Sequence, residues 1–331
     1  MPCGILHDGL TSRRSRLTHS AAIAPRETVS WAWHRNLRFI PRIGRPDSGP
    51  VAYSSGCNRP DLLTGRPFCL SHHAHNKDAC RVTTKALTGL LAKPADFAVT
   101  LPATTAERAF VYAYALIQWP WLLASLSGGS QADKQALLER VGLPADALPN
   151  LGSWKADTYL LHRVVDMIEA LRPATVVELG SGATSLVIAQ ALAANGGGTL
   201  YSFDQHRPFV DQMGQWLGEH GLSAHFQHAP LAQRDPRWPG VWYQLADLPP
   251  AIDLLLIDGP PWVIHPYVRG MADRLFDRVV PGGVVLLDDA ARPGERHVAR
   301  RWMREWPGFT FSYEGGGTKG LLVGRRDGAS V

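Results

Sequence analysis

The stretch Thr175-Val-Val-Glu-Leu-Gly-Ser-Gly-Ala-Thr-Ser-Leu-Val-Ile-Ala-Gln-Ala-Leu192 decides the fold of this 331-residue chain. Val176 and Val177 read as a short buried strand. Glu178-Leu179-Gly180-Ser181-Gly182 reads as the turn that ends it, and Thr184 to Leu192 has helical character. Strand, glycine turn and helix form the entry unit of an α/β sheet that binds a nucleotide. The glycines let the chain turn sharply and let a ligand approach the backbone with no Cβ in the way. The start of the helix offers free N–H groups to a polar or anionic ligand group. Gly180 and Gly182 fit a G-x-G-x-x-G fingerprint, but its third position is Ser185.

Strand and helix patterns alternate outward from this unit. Strands are expected at 175–179, 199–203, 223–228, 252–257 and 283–288, and helices at 184–194, 207–220, 266–279 and 294–306. Phe309 to Tyr313, then Gly315-Gly-Gly317, then Gly320 to Val323 read as a hairpin that closes the sheet with an antiparallel edge. Upstream, Ser153 reads as the N-cap of a helix carrying Tyr159, Leu160, Val164, Met167, Ile168 and Leu171 at helical spacing. The expected fold is an α/β sheet, Rossmann-like and mostly parallel, with helices on both faces.

The formal charge of +5 is unevenly spread. Residues 1–100 hold 11 Arg and 3 Lys against six acidic residues, a net +8; the other 20 basic and 23 acidic residues give −3. The basic character therefore belongs to the first third, and no nucleic-acid partner is expected at the folded part. Residues 1–100 show no sustained helical or strand period, and no Met occurs between Met1 and Met167. They read as disordered, as a targeting segment, or as a spuriously translated stretch. Cys69, His72, His73, His75 and Cys80 match no paired zinc spacing. All four cysteines lie in this third, which points the remainder to a reducing, cytoplasmic setting.

Residues 101–150 read as a helical extension and linker. Residues 109–132 carry no charge, but Gln118, Pro120 and the Ser/Gly-rich end argue against a membrane span. A packed or interfacial helix pair broken near Pro120, suited to a homodimer surface, is the better reading.

The third domain, 151–327, holds the candidate chemistry. Asp204 ends the second strand, where a carboxylate accepts hydrogen bonds from ribose hydroxyls; it also suits a helix cap before Pro208. Asp258 ends the strand Ile252-Asp-Leu-Leu-Leu-Ile257, and Asp288-Asp289 end the next. Three convergent carboxylates repel unless a cation or proton shares the site, and a hard oxygen set suits Mg²⁺, Mn²⁺ or Ca²⁺ rather than zinc. His265 lies in a loop over the same rim, as a candidate proton acceptor. Arg269, Arg292 and Arg296 suit an anionic group or a helix surface. Trp238, Trp242 and Tyr243 suit a pocket wall or a packed crossover.

With Glu178 two residues before Gly180, the chain resembles the class I S-adenosylmethionine (SAM) dependent methyltransferases, whose first motif is an acidic residue followed by x-G-x-G. The strand-Ile257-Asp258-Gly259 and Pro281-Gly-Gly283…Asp288-Asp289 texture is similar to the methyltransferase-24 group, related to metal-dependent small-molecule O-methyltransferases. The resemblance covers about 150–327. It implies SAM held by Glu178, Gly180, Ser181, Gly182, Ser185, Asp204, Ala229 and Asp258, with Ala229 beside the adenine. It implies Mg²⁺ on Asp258, Asp288 and Asp289 and a small-molecule acceptor methylated on oxygen; Asp258 and His265 are the candidate catalytic residues. Pro260-Pro261-Trp262 departs from the polar or His residue that many relatives carry there. A nicotinamide oxidoreductase and a non-catalytic SAM-binding interaction protein are the alternatives.

Overall fold

The computed structural model describes residues 104–148 and 151–328. The expectations for residues 1–100, with their cysteine and histidine group, lie outside the described residues. Helices are α1 (Thr105–Ala124), α2 (Gln131–Val141), α3 (Thr158–Leu171), α4 (Ala183–Ala194), α5 (Arg207–Glu219) and α6 (Pro293–Glu305). Strands are β1 (Thr175–Leu179), β2 (Thr199–Asp204), β3 (His225–His228), β4 (Leu231–Asp235), β5 (Trp238–Tyr243), β6 (Ile252–Ile257), β7 (Val279–Leu287), β8 (Phe309–Glu314) and β9 (Leu321–Arg326).

Seven strands form one sheet in the order β3-β2-β1-β6-β7-β9-β8. The first five are parallel, and β9 and β8 close it antiparallel. This is the expected Rossmann-like arrangement, mostly parallel with an antiparallel edge. The order reverses at β1, so the crevice outside the carboxyl ends of β1, β2 and β6 is where such a sheet binds ligands. Register places Leu179 beside both Phe203 and Ile257, and Ile257 beside Leu287. The ladder continues one residue further: Asp258 N donates to Leu179 O at 2.9 Å and Asp288 N to Ile257 O at 3.0 Å. Gly180, Asp258 and Asp288 are thereby set side by side on one rim.

Each face of the sheet carries its own core. On one, α4 is covered by α2, α3 and the sheet, with Leu186, Val187 and Ile188 fully buried. A helix enclosed on all sides is apolar all round, which is why its sequence shows no polar stripe. On the other, Trp238, Trp242, Phe276 and Trp302 pack with Leu255 and Val285.

Four expectations are corrected. Helix α1 runs unbroken through Pro120. The crossover around Trp238, Trp242 and Tyr243, where no strand was expected between the third and fourth, holds the two-stranded sheet β4–β5 with register shifts at two points. The segment read as a helix over 266–279 is a run of 3₁₀ turns, Val268–Arg278. The N-cap of α3 is Asp157, whose Oδ1 accepts from Leu160 N at 2.9 Å, whereas Ser153 lies in a turn at φ 58°. Among the described residues no helix is long and apolar enough to cross a membrane.

Candidate active site at the carboxyl rim of the sheet

The glycine turn is built from beneath. Gly180 has φ +96°, and a Cβ there would stand 3.0 Å from the Gly259 nitrogen, so the turn needs glycine both for its conformation and for close approach to the β6 exit. A Cβ on Gly182 would meet nothing within 4 Å, so this edge of the turn faces open space. Ser181 N donates to Asp204 Oδ2 at 3.3 Å, and Asp204 Oδ1 accepts from His206 N at 2.8 Å. Asp204 thus hangs over the turn as expected and also holds the start of α5. Burial pushes its carboxyl up to about 7, opposed by the two backbone N–H bonds.

Glu178 and Ser185 do not face the crevice, contrary to the expectation that they contact the cofactor. Glu178 is fully buried and accepts from Ser185 Oγ and Ser202 Oγ, each at 2.5 Å, and from Thr184 Oγ1. Ser185 Oγ in turn accepts from Gly182 N at 3.0 Å. The physical reason is the strand alternation: Glu178 points into the sheet's face under α4, where only an internal hydroxyl set can satisfy it. Its role is to brace the turn. Burial pushes its carboxyl up to about 7, against the three hydroxyl bonds. Ala229 reaches the same rim but is buried, its N–H spent on Asp204 O at 2.8 Å.

Asp258, Asp288 and Asp289 converge as expected, each offering an oxygen within 4.8 Å of the others. Three cations of the chain surround them. Arg269 donates to Asp258 Oδ1 at 3.2 Å and Asp289 Oδ2 at 3.0 Å. Arg292 pairs with Asp289 Oδ1 at 2.6 Å, and Lys319 Nζ lies 3.4 Å from Asp288 Oδ2 and 3.6 Å from Asp289 Oδ1. Glu295 completes the group, 3.9 Å from Arg269 and 3.7 Å from Arg292. Asp289 sits at φ 60°, a left-handed turn that aspartate tolerates and that aims its carboxylate at these cations. Burial and then Asp288 push the Asp258 carboxyl well up. Burial acts likewise on Asp289, but Arg292, Lys319 and Arg269 outweigh it and hold that carboxyl low.

This donor set does not fit Mg²⁺. A dication lodged about 4 Å from the Lys319 ammonium would meet a repulsion on the order of 8 kcal/mol at an effective dielectric of 20. Its oxygen ligands are already shared with three side-chain cations. The expectation of a metal on Asp258, Asp288 and Asp289 is therefore corrected in its chemistry, though not in its geometry.

His265 is also corrected. It is buried, stacked on Phe110 with ring centroids 5.2 Å apart, and edge-on to Tyr267. Its Nδ1 accepts from Tyr267 N at 3.1 Å, so the neutral ring carries its proton on Nε2 and has no free nitrogen to act as a base. Burial lowers its pKa to about 4. Arg296, expected at the surface or on an anion, lies 5.9 Å from the Trp121 ring and 5.7 Å from the Tyr313 ring. Trp238 and Trp242 are core, with Trp238 Nε1 donating to Asp273 at 3.0 Å.

Sequence reasoning missed Lys319 and the pairing role of Arg269 and Arg292. One signal was present: Lys319 is the single lysine after Lys155, set in a glycine-rich turn amid a stretch whose other cations are all arginine. It also missed the buried Tyr243 hydroxyl, which lies against Gly259 and has no hydrogen-bond partner among the described residues.

Residues 177–290 match a family model described as a methyltransferase domain. No curated protein matches the chain. Among solved structures, the O-methyltransferase TomG from Streptomyces achromogenes in complex with SAM is 17% identical, covers 60% of this chain and 89% of its own, and has a TM-score of 0.40. The Bacillus cereus O-methyltransferase with SAH is 13% identical over 59% of this chain and 91% of its own, TM-score 0.42. SAH-bound PaMTH1 of Podospora anserina is 13% identical over 69% and 99%, TM-score 0.42.

Proposed function

We propose that this chain, which carries a class I SAM-dependent methyltransferase domain over residues 177–290, methylates an oxygen of a small molecule. The rim carries the reading: the Gly180–Gly182 turn is open above Gly182, with Asp204 on one side of β1 and Asp258 on the other. SAM supplies an electrophilic methyl on its sulfonium. Asp204 would hold the ribose hydroxyls, and the glycine turn would receive the amino-acid part, with no side chain at Gly182 in the way. Tyr243, with its hydroxyl unpartnered and fully buried, is placed to donate into the same space.

Asp258 is the acidic group of the cluster that opens to the crevice: its side chain is 15% exposed, against 1–2% for Asp288, Asp289 and Glu295. It therefore takes the proton of the acceptor hydroxyl. The rim would hold the acceptor oxygen in line with the methyl that SAM supplies when bound, and buried walls keep water away. Ser185 at the third fingerprint position and the antiparallel β8–β9 edge disfavour the nicotinamide alternative. Calorimetric titration with SAM and with NADH is the test, followed by mass spectrometry of hydroxylated acceptors for a gain of one methylene. SAM binding with methyl gain is expected; NADH binding without SAM binding would overturn the proposal.

A further inference from the structure

The carboxylate cluster at the ends of β6 and β7 has the geometry of a divalent-cation site and the neighbours of an occupied one. We propose that its cation is Lys319, fixed in place of a metal ion by the turn between β8 and β9. The inference rests on the reading of this rim as the acceptor end of a methyltransferase site.

Lys319 is held on both sides. Before it, Thr318 donates to Asp157 Oδ2 through its N–H at 2.8 Å and its hydroxyl at 3.2 Å. Gly317, at φ +68°, passes so close that a Cβ would stand 2.4 Å from the same oxygen. After it, Gly320 O accepts from Ala290 N at 3.0 Å, and Lys319 O itself accepts from Ala291 N at 2.9 Å. The turn is thus tied to the start of α3 and to the exit of β7 together. Its lysine is 3% exposed, with Nζ between Asp288 and Asp289. These bonds fix the backbone that carries the lysine, and its ammonium leaves the site only by giving up its pairs with Asp288 and Asp289. Arg269 closes the other side: besides its carboxylate pairs it donates to the backbone oxygens of Pro260, Asp288 and Asp258. The cluster's order thus comes from side chains that cannot dissociate.

The test is uptake of Mn²⁺ by the full chain, read from the electron paramagnetic resonance of the free ion; it needs no acceptor and no turnover. Wild type is expected to take up no Mn²⁺ that Asp288→Asn removes. Lys319→Met, which keeps the stem and loses the charge, should take up one Mn²⁺ per chain at least about tenfold more tightly than wild type. Adding Asp288→Asn to it should abolish that uptake. Lys319→Arg keeps the charge and should stay closed, and its titration with that of wild type decides the matter if Lys319→Met fails to fold. Wild-type uptake that Mg²⁺ displaces and Asp288→Asn abolishes would overturn the proposal, as would a folded Lys319→Met that takes up none. SAM titration of the same samples separates the two readings: binding of SAM by a chain that does take up Mn²⁺ overturns only this one.

Discussion

Glu178 and Asp204 stand on neighbouring strands, both buried, both pushed up to about 7, and only one of them faces the crevice. The difference lies in their partners. Glu178 is satisfied by three hydroxyls, so Glu178→Ala should cost roughly 3–5 kcal/mol of stability in urea unfolding, the penalty for breaking a buried charged network. Asp204 meets only two backbone N–H groups and keeps acceptor capacity for a ligand. Asp204→Ala should therefore weaken SAM binding by about 2–4 kcal/mol while lowering the melting temperature less than Glu178→Ala does; unchanged affinity by calorimetry would remove its assigned role. His265 makes a pH prediction. Its folded pKa of about 4 lies below its ordinary 6.5, so its contribution is complete above 6.5 and is lost as pH falls towards 4. The stability gap between wild type and His265→Leu should narrow by roughly 2–3 kcal/mol between pH 7 and 4, measured by urea melts at each pH. Sequence spacing placed Gly180, Gly182, Asp204 and the three rim aspartates. Which way Glu178 and His265 point depends on what packs above them: Thr184 and Ser202 in one case, Phe110 in the other.

Helix α1 shows how an element outruns its local rule. A proline removes a bond to the carbonyl four residues earlier and crowds it, which is why a break was expected near Pro120. That carbonyl belongs to Leu116, whose residue is 71% exposed, so water can satisfy it while the helix goes on. The start is secured by a capping box in which Thr104 Oγ1 accepts from Glu107 N at 3.1 Å and Glu107 accepts from Thr104 N at 2.9 Å. Pro120→Ala should accordingly raise stability by about 1–3 kcal/mol. A fall in melting temperature would show that the ring is needed for packing. The β4–β5 pair escaped the sequence for a different reason. Its two register shifts, with Pro239 and Gly240 inside β5, break the alternation by which strands are recognised. Parallel strands such as β6, apolar from Leu254 to Ile257, were legible because both faces are buried.

Across the whole molecule, the sheet order followed from alternating patterns and a terminal hairpin, since few topologies satisfy them. The two cores were legible as apolar residues, but their ionic lining was not. Paired charges such as Arg269 and Asp289 are read from a sequence as surface until the fold buries them together. The hairpin turn that carries Lys319 has a kinetic meaning as well. Its bonds join Asp157 to Thr318, and Arg163 to Glu314 at 2.8 Å, across separations of 161 and 151 residues. Contacts of such long sequence reach carry a large loop-closure entropy and form late. Until they form, four acidic groups face only two arginines, so the half-folded chain holds a larger excess of negative charge here than the finished one, in which Lys319 joins them. Asp157→Ala, which cuts this tie, should therefore speed unfolding more than it slows refolding, and stopped-flow chevrons would show it. A tie that closes late is then the one that seats Lys319 among the rim carboxylates, so the sheet is assembled before its site is complete.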